Sequence, residues 1–214
     1  MERTPEARDS HFTGRLESFG DVVFGFSISQ LALHLDPPRD AAAIVGHPIK
    51  WVLYFGTFAL IAGLWMQYHR ALGTGFRPQR LEVAAVFVFL AFVGLMPYAM
   101  FANVSLGRTT HDAQVGLGTY LACSVPIFGC LAFLTLRSAR RAWNRLDAAA
   151  RLRSWRIGVM YAGMTIFMLI LLLLDITAGA VVAGPMMILV PVLVAVARRR
   201  APMPGSLARI PAVP

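Results

Sequence analysis

Five long apolar stretches alternate with short polar connections along most of the chain. They cover residues 49–68, 81–101, 115–136, 157–174 and 178–197. A helix that crosses a bilayer needs about 20 mostly apolar residues, because each residue rises 1.5 Å through roughly 30 Å of hydrocarbon. Each stretch therefore predicts a transmembrane helix.

A sixth and weaker stretch covers residues 19–35. It is mostly apolar, but it carries Asp21, Ser27, Ser29, Gln30 and His34. Polar groups at membrane depth are costly, so such a helix is expected to face protein or water rather than acyl chains. Of the six predicted spans, this one is therefore expected to carry function.

The distribution of basic residues predicts how the spans are oriented. Seventeen of the 20 lysines and arginines fall in the two tails and in every second connection, whereas Arg39, Lys50 and Arg108 fall in the remaining connections. Cytoplasmic loops are enriched in basic residues, so the split places both termini in the cytoplasm. The alternation holds only if residues 19–35 are counted as a span.

The predicted fold class is an all-α integral membrane protein with six transmembrane helices and one repeat per chain. The composition agrees, because 57% of the residues are hydrophobic and only 14% are charged. Residues 1–14 predict a cytoplasmic tail without the apolar region of a secretory signal. Residues 15–200 predict the membrane domain, and residues 201–214, with their four prolines, a disordered cytoplasmic tail.

The net charge of +9 is concentrated in residues 137–156, which contain seven arginines and one acid. Such a basic segment with interleaved Trp143 and Trp155 could bind nucleic acid. A helical link that lies against anionic lipid headgroups explains the same pattern without a further partner. We therefore expect membrane lipids, and no nucleic acid, as partners.

The sequence offers little enzyme chemistry. It has no phosphate-binding glycine loop, no His-Glu-x-x-His motif and no nucleophile elbow. No predicted span holds two histidines that could ligate haem, and Cys123 and Cys130 are too far apart on one helix for a disulfide. We expect no enzyme activity, no metal site and no cofactor.

One face of the weak first span is a candidate pore lining. Phe26, Gln30 and Leu33 follow one another at i, i+4 and i+7, and Phe19, Val22 and Val23 continue this face toward the cytoplasm. The alternative is an ordinary packing face between helices. Gln30 favours the pore, since an amide at mid-span needs water or a polar partner.

The run Arg15-x-x-x-Phe19-Gly20-Asp21 resembles the Arg-x-x-x-Phe-Ser-Asp signature that opens the first helix of the transmembrane protein 175 family of potassium channels. Gly20 stands where the family has serine. Trp65-x-x-x-His69 resembles the tryptophan and histidine that pack against this signature in the family.

The resemblance implies a prokaryotic plasma-membrane channel of the single-repeat branch, a homotetramer that passes potassium ions passively. The first helix of each subunit would line a central pore, with Phe26, Gln30 and Leu33 at the constriction. Ser29 corresponds to a family threonine linked to selectivity. Arg15, Phe19, Asp21, Trp65 and His69 would support the pore helix.

Two departures from the family matter physically. An aromatic Phe26 and a polar Gln30 replace aliphatic side chains. A purely apolar ring closes a pore by dewetting, whereas four amides would hold water, so we expect a weaker preference for potassium over sodium.

Other functions remain open at this stage. The chain could be a secondary transporter or a non-conducting membrane scaffold of the same fold, although it lacks the internal repeats that transporters often show. For Asp21, the alternative is a solvated acid at a helix start. Asp175, at the outer end of the fifth span, could attract cations, but we expect a plain boundary residue.

Overall fold

The computed structural model describes residues 5–33, 48–73, 75–105, 109–144, 146–187 and 189. This part of the chain contains no β-strand and forms five long helices. They are α1 (Pro5–Leu33), α2 (Pro48–Gly73), α3 (Arg80–Ser105), α4 (Thr110–Ala142) and α5 (Ala148–Ala178). Residues 180–187 are helical again.

Four of these helices, α2 to α5, are long and apolar enough to cross a membrane. They contain four of the predicted spans, which are thereby confirmed as helices. The stretch 178–197 lies only in part within the described residues, and the predicted C-terminal tail lies outside them. The chain is a multi-pass membrane protein, and the number of six spans stays a prediction.

Local signals set the ends of the helices. Thr109 and Asp147 cap α4 and α5, because their side chains accept hydrogen bonds from the backbone N–H groups of Asp112 and Ala150. Gly179 ends α5 with a φ of 81°, a conformation that favours glycine, and its N–H donates to the carbonyl of Asp175. This turn separates the fifth predicted span from the sixth.

Two helices are longer than the apolar pattern predicts. α1 includes residues 5–14, a polar segment that the sequence suggested was a tail. α4 has 33 residues, or about 50 Å at 1.5 Å per residue, so it extends well beyond a hydrocarbon layer of roughly 30 Å. In the described residues, the arginine-rich region 137–156 consequently contains the end of α4, a turn at residues 143–144 and the start of α5, and not a separate linking helix.

The bundle has a well-packed centre and a helix at its margin. α4 packs extensively against α3 and α5, whereas α1 packs mainly against α2 and α3. Phe24 of α1, Tyr68 of α2 and Phe89 of α3 meet where these three helices join, with ring centroids 5.7 to 6.1 Å apart. All three rings are buried, and they fix the position of α1 on the bundle.

Candidate functional site

α1 has one buried face and one exposed face. The buried face consists of Leu16, Gly20, Phe24, Ser27 and Leu31, which recur at intervals of three and four residues. These side chains pack against α2 and α3. The Ser27 hydroxyl donates to the carbonyl of Val23, so this buried polar group is satisfied within the helix.

The exposed face of α1 runs along the opposite side at the same intervals. Its large side chains are Phe19, Val22, Phe26 and Leu33, and small or polar residues stand between them. The spacing of three, four and seven residues is that of a helix seam that packs against other helices. A mixed face of this kind differs from the exposed sides of α2, α3 and α5, where large apolar residues dominate.

The three residues predicted at the constriction and the neighbouring Ser29, predicted for selectivity, do not share one environment. Phe26 is 62% exposed and Leu33 is 83% exposed, whereas Gln30 is half-buried. At about 100° per residue, Ser29 lies near the centre of the exposed arc and Gln30 near its edge. The Ser29 hydroxyl donates to the carbonyl of Gly25 at 2.9 Å, which leaves its oxygen as an acceptor toward that face.

The signature motif and the Trp65/His69 pair are brought together as the resemblance implied. Asp21 Oδ1 accepts a hydrogen bond from Trp65 Nε1 at 2.8 Å and lies 2.9 Å from His69 Nε2. Because an ionised carboxylate only accepts, His69 carries its hydrogen on Nε2 in this contact. The rings of Trp65 and His69 meet edge to face at 4.8 Å, so both donors converge on one oxygen.

The other two signature residues are more peripheral. Phe19 contacts Phe87 of α3, with ring centroids 5.7 Å apart, and keeps part of its ring on the exposed face. Arg15 is exposed one turn before it. Of the three signature residues, Asp21 is thus held by hydrogen bonds, Phe19 contacts α3, and Arg15 is exposed.

Sequence reasoning missed Tyr68, which lies between Trp65 and His69 in the contact with α1. Its hydroxyl donates to the carbonyl of Leu16 at 2.7 Å, and its ring is fully buried against Gly20. A Cβ atom on Gly20 would come within 2.7 Å of the Tyr68 hydroxyl. Glycine in place of the family's serine therefore makes room for the Tyr68 ring. The presence of Gly20 at the serine position of the signature was the signal in the sequence that could have indicated a close contact here.

A second polar cluster was also missed. Glu82 at the start of α3 forms ion pairs with Arg137 and Arg141 near the end of α4. Gln79 accepts hydrogen bonds from both guanidinium groups. No local pattern indicates this cluster, because 55 residues separate Glu82 from Arg137.

Asp175 lies near the end of α5, as expected for a boundary residue, but it is buried. It is only 1% exposed, and its side chain lies against Gly118 of α4. Gln114 of α4 donates to its backbone carbonyl at 2.6 Å. The residue therefore takes part in the α4–α5 contact, which the sequence did not indicate.

Other candidate chemistry is sparse in the part of the chain that the structure describes. Cys123 and Cys130 are free thiols, as expected from their spacing. No three histidine, cysteine or acidic side chains within the described ranges come close enough to hold a metal ion.

Comparisons with known proteins agree with the geometry. Residues 15–97 match the family described as "Endosomal/lysosomal potassium channel TMEM175", which confirms the family resemblance. The chain also resembles the crystal structure of a variant of the potassium channel MtTMEM175 in complex with a Nanobody-MBP fusion protein, with a TM-score of 0.68 and 16% identity. This likeness covers 86% of the present chain and 92% of the other, and it shows a common fold.

No curated protein matches the chain. The matched family and the similar structure are both named as ion channels, so the expectation that the chain is not an enzyme is confirmed.

Proposed function

We propose that this protein, whose residues 15–97 match the TMEM175 potassium channel family, is the subunit of a potassium-permeable cation channel. The subunit has six spans with both termini in the cytoplasm of a prokaryotic cell, where it lies in the plasma membrane. Ions pass passively through a central pore that four copies of α1 line. The observation that carries the proposal is the exposed face of α1.

That face needs a partner other than lipid. It presents Arg15, Ser29 and the half-buried Gln30 together with large apolar side chains. Acyl chains offer no hydrogen bonds, so a mixed face is tolerated at membrane depth when it borders water or protein. A ring of identical helices around a water-filled axis supplies both, and the seam spacing of the face suits contact between copies.

The constriction follows from the side chains on that face. Phe26 and Leu33 are large, apolar and exposed on α1, so four copies of each would narrow the axis. Ser29 and Gln30 lie between these two levels and would place hydroxyl and amide oxygens near passing ions. An oxygen-lined gap between apolar rings lowers the dehydration cost without the carbonyl filter of ordinary potassium channels.

Asp21 supports this arrangement from behind the pore. Its contacts with Trp65 and His69 tie the cytoplasmic half of α1 to α2. A charged hydrogen bond has stricter geometry than an apolar contact, so the pair of donors fixes the rotation of α1 about its own axis. That rotation decides which residues reach the pore.

The deciding experiment is ion flux into liposomes that contain the purified protein. A current that follows the potassium gradient without a coupled ion is expected, together with a tetrameric mass in detergent. A coupled flux would indicate a transporter, and a monomer without flux would indicate a scaffold. Either result would end the proposal.

Gln30→Leu tests the polar part of the constriction. We expect this variant to raise the preference for potassium over sodium, because it removes an amide that holds water and accepts partly hydrated sodium. Reversal potentials in mixed potassium and sodium measure the change. Val22→Leu, which alters the same face one level nearer the start of α1, serves as the matched control, and equal shifts in both variants would contradict the role of the amide.

A further inference from the structure

An open cavity of about 230 Å³ lies between the ends of α2, α4 and the start of α5. Its polar lining consists of Gln67 and Arg70 of α2, Thr135 and Ser138 of α4, and Ser154 of α5. The remaining walls are apolar, with Ala71 and Ala142 buried at the back. The cavity thus offers one cation and several neutral hydrogen-bonding groups, with no acid among its lining residues.

Arg70 differs from the arginines around it. Arg137 and Arg141 form ion pairs with Glu82, and Arg140 and Arg151 lie over the rings of Trp155 and Trp143. Within the described ranges, no acidic side chain forms an ion pair with Arg70. Its guanidinium group is exposed at the cavity and is available to an anion.

The size and chemistry of the cavity narrow the class of ligand. Pockets for drug-sized molecules hold roughly 300 to 1,000 Å³, so this one accepts a smaller group. A guanidinium group presents paired N–H donors that match the oxygens of phosphate, and hydroxyl and amide groups complete such a site. Phosphate is favoured over a carboxylate because donors surround the cavity on three helices.

The surroundings favour a lipid as the source of that phosphate. Trp143 and Trp155 meet edge to face beside the cavity, and both rings are partly exposed. Tryptophan is enriched at the headgroup level of membranes, and basic pockets between helix ends bind anionic headgroups. The seven arginines of residues 137–156 attract the same lipids to this end of the bundle.

We propose that the cavity between α2, α4 and α5 binds the phosphate group of an anionic lipid, with Arg70 as its principal ligand. Ser154 donates to the phosphate from α5, whereas the Ser138 hydroxyl of α4 donates to the carbonyl of Ala71 at 3.5 Å in the cavity wall. Binding joins three helix ends through one ligand, so an anionic lipid stabilises the folded protein. The proposal does not depend on conduction.

The test measures thermal unfolding of the purified full-length protein in detergent. Short-chain phosphatidic acid, short-chain phosphatidylcholine and inorganic phosphate are titrated separately against the wild type, Arg70→Gln and Arg153→Gln. Arg153 is an exposed arginine of α5 that does not line the cavity, and it provides the matched control. We expect Arg70→Gln to need about tenfold more phosphatidic acid for the same stabilisation, since charged hydrogen bonds are worth that factor or more.

Ser154→Leu gives an independent readout, because it fills the cavity and changes no charge. It should weaken the response to phosphatidic acid as Arg70→Gln does, whether or not either variant has a lower stability without lipid. Protection by inorganic phosphate as well as by the lipid would support the site and identify a soluble anion as a second source. Protection by the lipid alone would identify the headgroup.

Three results would overturn the proposal. Equal losses in Arg70→Gln and Arg153→Gln would mean diffuse attraction to the arginines. Equal protection by phosphatidylcholine would mean that acyl chains, and not the anionic phosphate, stabilise the protein. An undiminished response in Ser154→Leu would place the anion outside the cavity.

Discussion

Two polar clusters join neighbouring helices in this protein, and they differ in burial. The Glu82 cluster connects α3 to α4, and the Glu82 side chain is only 2% exposed. The Asp21 cluster connects α1 to α2, and the Asp21 side chain is 51% exposed. Breaking a buried ion pair costs far more than breaking an exposed one, because the remaining charge is left without solvent.

The difference separates two functions of a polar contact. The Glu82 cluster joins α3 to α4 in the well-packed part of the bundle, where it contributes to the stability of the fold. The Asp21 cluster holds the marginal helix α1, where its direct contribution to stability is small. In the proposed channel, the Asp21 cluster would instead orient α1, whose mixed face is exposed.

Glu82→Gln is expected to have the largest effect on stability. The change leaves Arg137 and Arg141 facing a neutral group, and we expect a loss of about 3 to 5 kcal/mol, as for other buried pairs that lose one partner. The melting temperature in detergent measures this loss. Glu17→Gln on α1 is the control. A Glu82→Gln variant as stable as this control would show that the buried cluster does not stabilise the contact between α3 and α4.

Gly20→Ser should have an intermediate effect, although it restores the residue typical of the family. The new Cβ atom would meet the buried ring of Tyr68, and overpacking of this kind costs about 1 to 3 kcal/mol. Gly25→Ser is the control, since nothing lies within 4 Å of a Cβ atom there.

The same substitution in a Tyr68→Leu variant tests whether the cost of Gly20→Ser comes from the contact with Tyr68 or from serine at this position as such. In a Tyr68→Leu variant, Gly20→Ser should cost much less, and the double-mutant cycle reports the coupling between the two positions. Equal costs in both backgrounds would contradict the contact.

Asp21→Ala should have the smallest effect on stability and the largest on conduction. We expect a loss below about 1 kcal/mol, because the carboxylate is half exposed. Potassium flux should nevertheless fall well below that of the wild type, since α1 loses the contacts that fix its rotation. Trp65→Phe in the Asp21→Ala background should reduce flux no further.

Glu17→Ala, one turn earlier on the same helix, controls for loss of an acid. If Asp21→Ala conducts and assembles like this control, Asp21 is a solvated acid at a helix start, and the contrast between the two clusters fails.

The sequence alone determined the membrane class and most of the helices. Apolar length is a local property, so four spans could be identified from composition within a window, and the structure has helices at those places. The signature motif and the Trp65/His69 pair were identified from residue identity, and their contact is present. Both kinds of feature can be identified from the sequence, because they depend on residues that are close together in the chain or on the residue types of a motif.

Only the tertiary structure decided which residues from distant parts of the chain come into contact. The pairing of Glu82 with Arg137, the burial of Asp175, and the fit of Tyr68 against Gly20 each join residues that lie far apart in the chain. Which side of α1 is exposed likewise follows from how Phe24, Tyr68 and Phe89 pack together. Periodicity defines the faces of a helix, but only its neighbours decide which face they cover, because packing energy depends on shapes that meet in space.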